Sequence, residues 1–528
     1  MLFMKKEFHT TKFPSPEFYQ ELTKCATPYQ GNPGPIIQTV QALAAPPLNC
    51  TTVIFEREYV DKDYQDEYAA FYSRAFKKYP SRAVRLHFFA ADFLDADIPQ
   101  LESLVPPEKY LGFLVLRPTD LQRVGRTILK PILTDADKEF VHCQAEFSAH
   151  ILGQKFTVKA MPFTQQDTQV GACAQASLWM VARYLSRRLG HREYVPGEIN
   201  QLAKAKGGMG RALPAELGLN WKQMLDALEG MGLSAWSYSI SQFDECSSHI
   251  DGALPLDPKA TKDQKAEHQK RVRSLKLADI AYRYIESGLP VIFGTTNHAL
   301  VGIGHTYDHA AGANVAIQRI PGFITHNDNS GPYQTIPLVS SGNPGLTFAE
   351  VEDIIAVVPL EVTLRGEAAE VMARNAIDRL LRLATGNPGF PTYKDLISQL
   401  RPDFSALLDK LEFRTFLMPS VEFQKKLRND VKGGLFDTNL AARLIELDYP
   451  KFIWITEISS SALLNYPKRQ DRRCLGRVVI DSTAPSRTRG EMAVHFCDLL
   501  GMLDRQTGQA QPWEHLPKTT TFGHQISR

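Results

Sequence analysis

Cysteine is scarce in this chain: seven in 528 residues, at positions 25, 50, 143, 173, 246, 474 and 497, with no CxxC pair. An odd, sparse set argues against a disulfide scaffold or a structural zinc site and for a reducing cytosol. Long apolar runs are missing as well. No stretch of about 18 apolar residues occurs, so no membrane span is expected. The opening MLFMKKEFHTTKFPSPEF lacks the apolar core of a secretory signal. Neither sign of charge dominates, with Lys plus Arg at 60 and Asp plus Glu at 58. Neither nucleic acid nor an anionic membrane is therefore expected as the main partner. The basic cluster Lys468-Arg469-Gln470-Asp471-Arg472-Arg473 is short and reads as a solvated loop. Internal repeats and long low-complexity tracts are absent.

What remains is an ordinary globular balance, 43% hydrophobic and 22% charged, with length enough for two to four domains at roughly 100–200 residues each. Residues 29–48 are rich in Pro and Gly and read as an irregular lead-in. Thr52–Phe55 and Leu111–Leu116 carry strand signals, Tyr64–Lys78 a helical one, and YLGFLVLRPTDLQRVGRTIL a strand, a turn and a second strand. Arg117 and Arg126 within it read as structural ion-pair residues. Residues 174–189 form the clearest helix, with Leu178, Val181, Leu185 and Leu189 at three- and four-residue steps and Arg187 and Arg188 at its end. Trp179 and Met180 on that helix read as core. The polar stretch 251–273 reads as an exposed insertion leading into a helix over 275–287. Strands follow at 291–294, 298–307 and 323–328. Beyond about 361 helices come first, and strands at 452–458 and 477–480 close a separate α/β module.

Thiol catalysis needs a thiolate near neutral pH, whereas a free cysteine titrates at about 8.5. A helix N-terminus and a neighbouring imidazolium both favour the anion. Cys173 alone among the cysteines follows small residues, Gly171-Ala172, and opens a strong helix. His298 opens a strand after the Thr295-Thr296-Asn297 turn and is the best base. A pairing of 298–307 with 323–328 would bring Asp328 or Asn327 beside it, to set the tautomer and orientation of the ring. The glutamine-rich run 164–169 offers side-chain amides for an oxyanion hole. His305 and His309, with His298, His326 and Asp308, crowd a short region and raise a metal reading. The 305–309 spacing falls on a loop, not on a helix that would fix two ligands on one face, so the thiol reading is preferred.

The segments QQDTQVGACAQASLWM, NHALVGIGH and ITHNDNSGPY resemble the three motifs of papain-like cysteine peptidases. They are closer to the bacterial branch that includes bacteriocin leader-processing peptidases than to papain. The resemblance covers about 156–360. It implies an α+β chain whose central papain-like domain, a catalytic helix packed on an antiparallel sheet, spans 156–360. Mixed α/β modules at 1–155 and 361–528 would flank it.

The implied site is Cys173 as nucleophile, His298 as base, Asp328 as the orienting residue and Gln166 in the oxyanion hole, with no cofactor. The expected substrate is a protein or peptide, the expected location cytoplasmic. Two departures stand out. The family's glutamine lies six residues before the cysteine, where this chain has Asp167. Gln166 fits with a one-residue insertion, and Gln169 is the runner-up. The leader-processing relatives carry Asp-Pro where this chain has Asp328-Asn329, preceded by Asn327. Strand neighbours point to opposite faces, so only one of the two can reach the ring; Asp328 is favoured because it ends the strand just before the turn formers Asn329-Ser330-Gly331-Pro332 and matches the aspartate of the leader-processing relatives. A deamidase or transglutaminase-like acyltransferase could use the same residues, and a non-catalytic papain-fold binding module is the bland rival.

Overall fold

Segments rich in β-branched and aromatic residues pair in chain order at the start of the protein. In the computed structural model, β1 (Phe8–Lys12), β2 (Thr52–Tyr59), β3 (Ala83–Phe89), β4 (Tyr110–Leu116) and β5 (Val124–Leu129) form one antiparallel sheet in that order. The all-apolar β4 is buried at every position, as an uninterrupted apolar run requires. Gly112 within it has φ +115, and a Cβ there would meet Ile128 O at 2.0 Å. Only glycine suits both conditions. The β3–β4 register shifts beside it, between Phe88 and Phe89. The expected strand–turn–strand over 110–129 is the β4–β5 pair.

The structure describes residues 7–26, 32–119, 123–166, 173–204, 218–242, 250–251, 254, 256–311, 315–339, 345–385, 411–434, 436, 438–468, 471–485, 490–496, 499–502, 514–515 and 524–525. Helices and antiparallel sheets together make an α+β protein. Two compact units emerge, one of 1–235 with 292–304 and 324–335, the other of 236–291 with 305–323 and 336–528. The segment 156–360 thus contributes to both units, and residues 1–155 share a unit with Cys173 and His298. Among the described residues no helix is long and apolar enough to cross a membrane.

A second sheet contains the neighbouring strands His298–Thr306 and Gly322–Asn327, of which 298–304 and 324–327 belong to the first unit, and Glu139–Val141 pairs with the former. His142 N and Cys143 N both donate to Ile303 O at 3.0 Å. Gly304 permits this approach, since a Cβ there would meet Phe140 O at 2.1 Å. The hairpin Ala145–Ile151 with Gln154–Ala160 shows the strict in–out alternation of a half-buried ribbon.

Three local readings change. Residues 34–44 of the supposed lead-in are a helix with Pro35 in its first turn, where a missing N–H costs nothing. Its buried residues Ile36, Val40 and Leu43 recur at four- and three-residue steps. The helix expected over 64–78 runs Lys62–Ala70 and is capped by Asp61, whose carboxylate accepts from Tyr64 N at 3.0 Å. The polar stretch before 275 is already helical from Lys262, because Thr261 and Gln264 form a reciprocal capping box.

In the second unit Leu411–Pro419, Phe452–Ser460, Gly476–Asp481, Glu491–Phe496, Leu499–Met502 and Glu514–His515 form an antiparallel sheet in that order. Phe416, Phe423, Leu427, Leu440, Ile453, Ile455 and Val479 pack its core with the helices Ser420–Lys432 and Thr438–Ile445. The basic cluster near 470 is not simply solvated. Arg472 is buried, stacks on the Tyr307 ring at 4.1 Å and donates to the carbonyls of Tyr466 and Pro467.

Candidate active site

Cys173 opens a helix, Cys173–Leu189, that is buried from Ala174 to Ser186, while the cysteine itself stays half-buried. Trp179 and Met180 are core, as their apolar spacing implies. Side chains tie this helix down along its length. Ser177 Oγ donates to the carbonyl of Ala299 at 3.3 Å, one residue past His298. Further along, Trp179 Nε1 and Arg183 both donate to Asp63 Oδ1, at 3.1 and 2.6 Å. Burial raises the Asp63 carboxyl above its ordinary range, and the Arg183 charge opposes that rise. An N-terminal helix, Lys62–Ala70, therefore anchors the cysteine-headed one.

His298 stands at the first position of its strand and is half-buried. Its Nε2 donates to Asn327 Oδ1 at 2.9 Å, and Asp328 Oδ1 lies 3.6 Å from the same nitrogen. The Cys173 thiol acts on the ring and raises its pKa. Burial by itself would lower the ring's pKa. The hydrogen bonds to Cys173 and Asn327 and the Asp328 charge outweigh burial and raise it.

The hydrogen bond to the ring thus comes from Asn327, not from the favoured Asp328, and both side chains approach it. Alternation does not separate them because the strand ends at Asn327 and Asp328 begins the turn. Asp328 is fully buried, and among the described residues its oxygens have no hydrogen-bond partner beyond the residue's own N–H. Burial pushes its carboxyl up to about 6, with the charges of His298 and Arg123 pulling the other way.

The glutamine run divides by role. Gln165 is structural: its side chain accepts from Val124 N at 3.0 Å, and its carbonyl accepts from Arg117 at 2.7 Å. Arg117 also pairs with Glu67 at 3.1 Å, and Arg126 with Asp61 at 2.8 Å, as ion-pair residues should. Gln166 Nε2 donates to Asn329 Oδ1 at 2.8 Å, and Asn329 Nδ2 lies 3.5 Å from His298 Nδ1. Gln166 is thereby brought to the His298 site. Gln169 lies outside the described residues. Asn329 reads from sequence as a turn former; the signal for its place at the site is an amide directly after Asn327-Asp328. Asp63 carried no local signal at all.

The other histidines are engaged separately. His326 Nδ1 faces the carbonyl of Pro162 at 3.1 Å, and burial pushes the ring down to about 3. His305 Nε2 faces Glu286 Oε1 at 2.8 Å in the second unit. No family model, curated protein or solved structure matches this chain.

Proposed function

We propose that this chain is a papain-like cysteine peptidase that cleaves an amide bond of a protein or peptide through a thioester. One observation carries the reading: a thiol at a helix start raises the pKa of a histidine whose Nε2 donates to Asn327 Oδ1 at 2.9 Å. Nucleophile, base and orienting group are then in series, the arrangement that thiol acyl transfer needs.

In this mechanism the Cys173 sulfur attacks the substrate carbonyl as His298 takes the thiol proton. The carbonyl oxygen becomes an oxyanion, for which the Gln166 amide is a donor. Collapse expels the amine, protonated by His298, and leaves a thioester. Water, deprotonated by His298, releases the acid and the free thiol. The Asp328 charge favours the imidazolium at each step. The chemistry requires no cofactor. Free cysteines at 25, 50, 143, 173 and 474 suit a reducing cytosol.

Mass spectrometry after brief iodoacetamide treatment near pH 6 tests the site. Cys173 should label first, because burial pushes Cys25 and Cys474 up to about 12. Preferential labelling of Cys25 or Cys474 would end the reading. A peptide-library digest then separates peptide cleavage from ammonia release by a deamidase.

A further inference from the structure

The side chain of Asn329 stands where a substrate amide would have to go. Its Oδ1 takes the Gln166 Nε2 donor at 2.8 Å, and its Nδ2 lies 3.5 Å from His298 Nδ1. A scissile amide needs the same two partners: a donor for its carbonyl oxygen and the base for its nitrogen. Asn329 is thus an amide presented with oxygen toward the oxyanion donor and nitrogen toward the base.

Its neighbours make it displaceable. The Asn329 main-chain N–H is fixed on Asn327 Oδ1 at 3.0 Å, so the turn is held while the side chain can rotate. The residue is exposed, unlike the buried Asn327 and Asp328. Among the described residues two hydrogen bonds hold the carboxamide, and the longer one is at the limit of a useful contact. Releasing it exchanges these contacts for bonds to water, so the net cost is small.

The contact also selects a protonation state. Nε2 carries the ring proton donated to Asn327, so Nδ1 can accept the Asn329 N–H only when the imidazole is neutral. A thiolate–imidazolium pair places a proton on Nδ1 and opposes the Asn329 amide. The seated carboxamide thereby favours the neutral imidazole and takes the lone pair that would otherwise receive the Cys173 proton.

We propose that Asn329 is a resting-state occupant of the acyl site, held by Gln166, which substrate must displace before Cys173 can attack. This rests on the thiol reading above and adds a residue to it. A ligand that competes needs a carbonyl able to take the Gln166 donor, so amides and esters open the site better than groups lacking that oxygen.

The test needs no substrate. The full-length protein and its Asn329→Ala and Gln166→Ala variants are treated with iodoacetamide at one pH near neutrality, and the rate of Cys173 labelling is followed by mass spectrometry. Both variants free the acyl site, so both should label severalfold faster. Alkylation by displacement of iodide uses no oxyanion hole, so loss of Gln166 carries no chemical penalty here. A residue that merely positions His298 would give slower labelling when removed. Equal or slower labelling in both variants overturns the proposal. Acceleration in Asn329→Ala alone also overturns it as stated, since Gln166 would not be the holder. If Cys173 in the unaltered protein labels no faster than Cys25 or Cys474, the thiol reading itself falls, and this inference with it.

Discussion

The surroundings of His298 and those of Glu457 are both dense in polar groups, yet their pairing differs. Around Glu457 the charges close on one another. Its carboxylate takes Arg414 at 2.7 Å and lies 3.4 Å from Arg477, while Arg414 reaches Glu286 at 2.5 Å, and Glu286 faces His305 at 2.8 Å. Each buried charge has an opposite neighbour, which low-dielectric surroundings demand of a structural network. Around His298 the accounts stay open. Among the described residues Asp328 has no outside hydrogen-bond partner, its carboxyl is pushed up, and the imidazole keeps some exposure beside a thiol. Closed networks hold a fold together. Groups left short of partners, beside a nucleophile, are where strain and altered acidity gather.

The largest expected effect breaks the open side of this comparison. Cys173→Ala or His298→Ala should each lower amide cleavage at least ~1000-fold, since members of such a set act as a unit. Thermal melting should be little changed. Retention of more than a few per cent of turnover in the purified variants would remove the site from that class.

The closed side should respond in the opposite way. Glu457→Ala leaves Arg414 and Arg477 buried without their shared carboxylate, a loss of about 3–5 kcal/mol. Denaturant unfolding should show an earlier transition. Unchanged unfolding would mean that the network does not support the second unit.

Between these lies the orienting pair. Asn327→Ala removes the hydrogen bond to Nε2 and lets the ring tilt, which should cost about 100-fold in kcat/KM. Asp328→Asn should cost less, because that carboxylate acts through its charge at 3.6 Å. A kinetic comparison in which Asp328→Asn is the more damaging would reverse the roles.

The smallest effect is a pH dependence. The Asp328 carboxyl rises from 3.8 in the unfolded chain to about 6 in the folded protein, so the folded state binds that proton more tightly. Its contribution favours folding below pH 4 and is lost as pH rises through about 6, on the order of 3 kcal/mol at most. His298, also raised, adds in the same direction: its stabilisation is present at low pH and is lost as pH rises through its folded value. Asp328→Asn should therefore flatten the melting temperature between pH 4 and pH 7. An unchanged slope would show that Asp328 is not the group responsible.

The sequence by itself determined what local physics can carry. Leucine and valine spacing marked the helix after Cys173, strand signals marked the strand opened by His298 and the one over 323–328, which ends one residue earlier at Asn327, and the all-apolar run marked β4. These signals depend on neighbours a few residues apart. The helix at 34–44 escaped because Pro and Gly there were taken as breakers, although Pro35 sits where a helix tolerates it. Only the tertiary structure decided that Asn327 takes Nε2 with Asp328 behind it, since alternation stops where the strand ends. Only it decided that Gln166 meets Asn329 and that Asp63 anchors the Cys173 helix through Trp179 and Arg183. Those contacts join residues more than a hundred positions apart, and their geometry is set by how sheets and helices pack, which no local pattern encodes.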